Sequence, residues 1–137
     1  MRGYGLAFVC LCSFACAANE SRSYTVSYVA FDAQTFTPIT RETLTCSSGR
    51  WNVTVHGGFA EAFGSPLPAA QAFDDLRVRM RAESGSEVWY LDANGTATDG
   101  ERYVSLDKAK IEKFLTADPN GMPNPLAAPA AKPQGCR

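Results

Sequence analysis

The chain is 137 residues long, enough for one hydrophobic core and too short for a second. At 45% hydrophobic and 20% charged it has the make-up of globular material, which excludes a disordered or collagen-like chain. With 13 Lys plus Arg against 14 Asp plus Glu the formal net charge is -1, so no global field draws it to nucleic acid or anionic lipid, and any anion site has to be local.

Residues 1–18 differ in kind from the rest. Arg2 is the only charge before Glu20, an apolar run follows from Leu6 to Ala15, and Ala15-Cys16-Ala17-Ala18 supplies the small side chains of a signal-peptidase site. The pattern predicts a leader cleaved after Ala17 or Ala18 and a mature protein that is secreted or periplasmic. The run is shorter than the roughly 20 apolar residues that cross a bilayer, so no transmembrane span is expected. Two alternatives compete: a buried first element, and retention of an acylated Cys16 as in bacterial lipoproteins. Against the second, Ser13-Phe14-Ala15 lacks the Leu and small-residue pattern of a lipidation site. Cleavage removes Cys10, Cys12 and Cys16 and leaves Cys46 and Cys136, which in an exported chain predicts one disulfide.

Residues 19–117 read as a β-rich domain with a C-terminal helix, and 118–137 as a Pro/Ala-rich tail with a cysteine near its end. Arg22 to Phe31 is strand material, with Tyr24, Val26 and Tyr28 on one face. Asp32 to Pro38 is a connection, and a second strand is predicted over Arg41 to Cys46, closed by the turn Ser47-Ser48-Gly49. Trp51 to His56 alternates with Trp51, Val53 and Val55 inward. Gly57 to Pro68 reads as a loop, from which Pro68 opens a short helix to Phe73. Leu76 to Ala82 alternates again, Leu76, Val78 and Met80 against Arg77, Arg79 and Arg81. Ser84-Gly85-Ser86 turns into Glu87 to Leu91, Asn94-Gly95 marks a hairpin, and a last short strand lies around Arg102 to Ser105. Ser105 is placed to cap a helix whose apolar face is Ala109, Ile111, Phe114 and Leu115. The fold expected is therefore α+β: a small antiparallel sheet, sandwich or barrel of about five to seven strands with one C-terminal helix.

Motifs for catalysis are sparse. There is no Gly-x-Ser-x-Gly elbow and no phosphate or dinucleotide loop, so no cofactor is expected. His56 is the only histidine and neither cysteine stands at zinc-ligand spacing from it, so no metal site is expected. It could act as a general base with a carboxylate such as Glu61, or be a solvent-facing residue at a strand end. The acid pairs Asp74-Asp75 and Asp99/Glu101 read as solvated charges. Asp92 to Gly100 does not fit a calcium loop, since Ala97 and Tyr103 occupy the positions that need Gly and Glu. Asn52 and Asn94 begin Asn-x-Thr triplets that a eukaryotic secretory pathway would glycosylate.

Binding has better support. Arg77, Arg79 and Arg81 at strand spacing present three guanidiniums on one face, suited to carboxylates, phosphates or an acidic protein surface, unless Glu42, Glu83 or Glu87 answers them in a charge ladder. Trp89 and Tyr90 point opposite ways, and one of them, Trp89 being our choice, is expected at the surface as a stacking platform. The cysteines at Leu44-Thr45-Cys46 and Gly135-Cys136 give the chain a look similar to bacterial periplasmic inhibitors of lysozyme, which implies an inhibitor role. That family's Ser-Gly-x-x-Tyr loop is not matched, because Ser84-Gly85 is followed by Tyr90 several positions too late. The expectation is an exported binding or inhibitor module for a protein or cell-envelope partner. The alternatives are a small hydrolase using His56 and an acylated envelope lipoprotein with a structural role.

Overall fold

Alternating apolar and polar side chains carry most of the chain into extended structure. The computed structural model describes residues 20–68, 72–116, 124–133 and 135–136. The leader with Cys10, Cys12 and Cys16, the centre of the helix expected from Pro68 to Phe73, and the start of the Pro/Ala-rich tail lie outside the described residues. The strands are β1 (Ser21–Tyr28), β2 (Gly49–His56), β3 (Val78–Ser84), β4 (Glu87–Asp92), β5 (Thr96–Thr98), β6 (Tyr103–Ser105) and β7 (Ala127–Pro129). The helices are α1 (Leu44–Ser47), α2 (Phe59–Phe63) and α3 (Lys108–Leu115). All seven strands join one sheet in the order β6-β5-β4-β3-β1-β2-β7, antiparallel throughout, which makes this a small α+β fold.

Successive strand residues face opposite ways, so the two faces carry different layers. On the first face Tyr24, Val26, Tyr28, Val53, Val55, Met80, Ala82, Trp89 and Leu91 form the main core, closed by Phe59 and Phe63 of α2 and by Ile111 and Leu115 of α3. On the second face a smaller cluster joins Val78 to Ile39 and to Leu44 of α1, with Val29, Phe73 and Tyr90 packed against it. The excursion between β1 and β2 thus covers the second face. The disulfide between Cys46 and Cys136, 90 residues apart with Cα atoms 5.1 Å from each other, ties α1 to the end of the chain.

Four sequence expectations need correction. Residues 41–46 are a turn and the helix α1, because the Thr43 hydroxyl accepts from Thr40 N and Leu44 N donates to Thr40 O. Leu44 is the only large apolar side chain there, and one anchor fits a helical turn as well as a strand. The stretch 57–68 contains α2, whose Phe59 and Phe63 stand at i, i+4 with ring centroids 4.9 Å apart and pack toward Tyr24. The helix α3 is capped by Asp107, whose carboxylate accepts from Lys110 N; Ser105 belongs to β6. Nor is α3 the last element, since β7 pairs with β2 along the sheet edge, where Pro129 opposite Trp51 needs no ladder N–H.

Two polar anchors hold the layers. Asp92, 0% exposed, accepts from Asp74 N, Asn94 N and Thr96 N at 2.9, 2.9 and 3.0 Å, fixing the β4–β5 turn and the entry to β3. Tyr28 donates to Glu112 Oε1 at 2.8 Å and so joins the sheet to α3. Burial, and then this bond, pushes the Tyr28 phenol well above its ordinary value.

Three outcomes follow. Asp92→Ala leaves buried N–H groups without an acceptor and should cost about 2–4 kcal/mol in urea denaturation. A tyrosine whose folded pKa is raised stabilises fully below its unfolded value and loses that contribution as pH rises. Between about pH 8 and 11 the wild type should therefore lose more stability than Tyr28→Phe, with the loss beginning near pH 10. Reducing the disulfide, or Cys46→Ser, should lower stability by up to about 4.6 kcal/mol, the loop-entropy value for this span, read as a shift in urea midpoint with and without reductant.

Candidate functional site

A β-bulge in β3 builds the site. Val78 pairs with Asp92 and Met80 with Leu91, so one step along β4 corresponds to two along β3, and Arg79 is the extra residue. The bulge turns the strand over: Val78 packs in the second-face cluster and Met80 in the main core, although their numbering has the same parity. The three arginines therefore do not form the row that strict alternation predicts.

Each has a separate environment. Arg81 pairs with Glu83 at 2.6 Å and lies over the Tyr90 ring, the charge-ladder arrangement. Arg77 is exposed and bridges in parallel to Ile39. Arg79 is only 3% exposed. Its Nη1 donates to Val78 O at 3.2 Å and its Nη2 to Ala33 O at 3.1 Å, while Nε has no hydrogen-bond partner among the described residues. Burial, and then the neighbouring charge of Arg77, holds the Arg79 guanidinium below its ordinary pKa; Asp74 opposes this.

Arg22, Arg41, Arg81 and Arg102 each pair with a carboxylate, to Glu87, Asp75, Glu83 and Asp99 respectively, but Arg50, Arg77 and Arg79 do not among the described residues. A buried cation without a counter-ion is costly, of the order of several kcal/mol after relaxation. Here two guanidiniums, one of them buried, stand together without one.

The connection leaving β1 completes the site. It is pinned at Ala33 by Arg79 and at Ile39 by Val78 N, which donates to Ile39 O at 2.9 Å, and the Thr35 hydroxyl braces its tip by donating to Thr37 O at 2.7 Å. Between this loop and the start of β3 lies an open cleft of about 550 Å³ lined by Gln34, Phe36, Pro38, Leu76, Arg77 and Arg79 among others. Phe36 is fully exposed and Leu76 largely so. Leu44, held by the disulfide-linked α1, packs on Val78 beside the cleft.

The other sequence candidates lie elsewhere. Trp89 is 2% exposed in the main core, its Nε1 donating to Glu87 Oε1 at 2.7 Å and Arg102 lying 5.2 Å over its ring, so it is no surface platform. Its neighbour Tyr90 is the outward member of that pair, covered by Arg41 at 5.0 Å and Arg81 at 6.0 Å. His56 ends β2 exposed, its Nδ1 3.3 Å from the hydroxyl of Ser21 opposite. Glu61, in the first turn of α2, makes no hydrogen bond to it. Asp75 is taken by Arg41, and Asp99 by Arg102 and the backbone N–H groups of Glu101 and Arg102, which hold its carboxyl below the usual range. Among the described residues no three of His, Cys, Asp and Glu converge.

Phe36 and the burial of Arg79 were missed by sequence reasoning. An aromatic inside a polar connection ending in proline was the available signal for the first; a bulge leaves no signature in composition. Comparison of the chain with protein-family models, with curated proteins and with solved structures gives no match.

Proposed function

We propose that this is a small exported protein whose work is binding, and that it engages a protein or cell-envelope partner through the loop of residues 33–38 and the start of β3. The observation that carries the reading is Phe36, a fully exposed aromatic on a braced loop, beside exposed Leu76 and two guanidiniums that form no ion pair among the described residues. Exposed apolar groups that cluster around charge mark interaction surfaces, and aromatic and arginine anchors supply a large share of binding energy at interfaces. The leader over residues 1–18 supports export, and the Cys46–Cys136 bridge suits an oxidising compartment. No helix among the described residues is long and apolar enough to cross a membrane.

The test is retention of partners from the native compartment on the mature protein, wild type against Phe36→Ser. The mature chain should begin at Ala18 or Asn19, and the variant should fold normally and lose retention at least tenfold, the scale of an interface anchor. Equal retention by the two proteins would remove this surface from consideration. His56→Ala should leave retention unchanged; a turnover that depends on His56 would favour the hydrolase instead.

A further inference from the structure

The cleft has chemistry specific enough to name what it holds. Arg79 is one of its lining residues; among the described residues its Nε, which is buried, has no hydrogen-bond partner and its Nη2 is bonded to a neutral carbonyl, that of Ala33. Two parallel N–H groups on one edge match the two oxygens of a carboxylate, and such charge-assisted pairs are about twice as strong as neutral hydrogen bonds. Arg77, exposed and lining the same cleft, adds a second cation, and among the described residues neither arginine has a carboxylate within ion-pair distance, Asp74 acting on Arg79 only from farther away. The rest of the lining joins apolar Phe36, Pro38 and Leu76 to polar Gln34 and Thr35, and the three apolar side chains suit a short hydrophobic group attached next to the charge.

We propose that the cleft receives an acidic side chain of a protein partner, its carboxylate on Arg79 and Arg77 and an adjoining apolar residue on Phe36 and Leu76. This rests on the binding role argued above and deepens it. Because Arg79 Nε is shielded from solvent, the carboxylate enters by displacing the Ala33 carbonyl from Nη2, and the loop moves with it. The energetic reason is that the partner supplies a close counter-ion to a buried guanidinium that feels Asp74 only from beyond ion-pair distance. Complementary charge of this kind also makes association faster and sensitive to salt.

The experiment uses the mature, disulfide-bonded protein labelled with nitrogen-15 and follows the arginine Nε–H signals and the amides of Ala33 and Leu76. The probes are acetyl-Glu-Phe-amide and acetyl-Phe-Glu-amide, their Gln counterparts, and inorganic phosphate. At least one Glu peptide should give saturable shifts that weaken as salt is raised, with the Gln peptides at least tenfold weaker. Arg79→Met should abolish the shifts and Arg77→Ala reduce affinity several-fold. Should Arg79→Met fail to fold, Arg77→Ala decides, because that side chain is exposed. Equal binding of Glu and Gln peptides, saturation by phosphate without response to either Glu peptide, or an unchanged affinity in Arg77→Ala would each overturn the assignment. If the Glu peptides fail while Phe36→Ser still abolishes partner retention, the carboxylate assignment falls and the binding surface stands. If the Glu peptides bind and Phe36→Ser retains its partner, the anion site stands and the partner surface falls.

Discussion

In a seven-stranded antiparallel sheet each strand inherits its facing from the pairing of its neighbours, so the register of the central strand governs both layers. In β3 that register carries one extra residue between Val78 and Met80. Ahead of the bulge, Val78 meets Ile39 and Leu44 on the second face; after it, Met80 meets the main core. The excursion over residues 29–48 can therefore be anchored by apolar contacts at its far end, while Arg79 is trapped beneath its start. The cover and the unpaired guanidinium have one cause.

Among the described residues the other buried side-chain polar groups find hydrogen-bond partners, which gives the exception its weight. Asp92 is buried and accepts three backbone N–H groups; Glu87 accepts from Tyr24, Trp89 and Arg22; Glu112 accepts from Tyr28 and from Phe31 N. A chain that satisfies these groups and leaves a buried arginine with one bare N–H has a local feature that packing alone does not require. The disulfide reaches the same neighbourhood through α1, so the covalent closure of the chain bears on the wall of the cleft.

Several elements were legible because one face of each strand is apolar and the other polar. Tyr24, Val26 and Tyr28 in β1, Trp51, Val53 and Val55 in β2, and the turns at Ser84-Gly85-Ser86 and Asn94-Gly95 announce themselves by period and by turn chemistry. Thr96–Thr98 and Ala127–Pro129 did not, because threonine, alanine and proline show no strong alternation and become strands only when a neighbouring edge offers them hydrogen bonds. The two phenylalanines of α2 were hidden among Gly, Ala and Pro.

The period of two along the strands and the turn residues between them determined that the chain builds a mainly antiparallel sheet, and the positions of the cysteines, with three of the five in the expected leader, marked Cys46 and Cys136 as the thiols to be bridged. Tertiary structure decided everything about the arginines. Alternation treats Arg77, Arg79 and Arg81 alike, but in the folded sheet Arg81 pairs with Glu83 two residues along β3 and lies over Tyr90 of β4, Arg77 stays in solvent and Arg79 is buried under the loop at Ala33. The physical reason is that a bulge is set by hydrogen-bond register between distant strands, a relation no local pattern encodes.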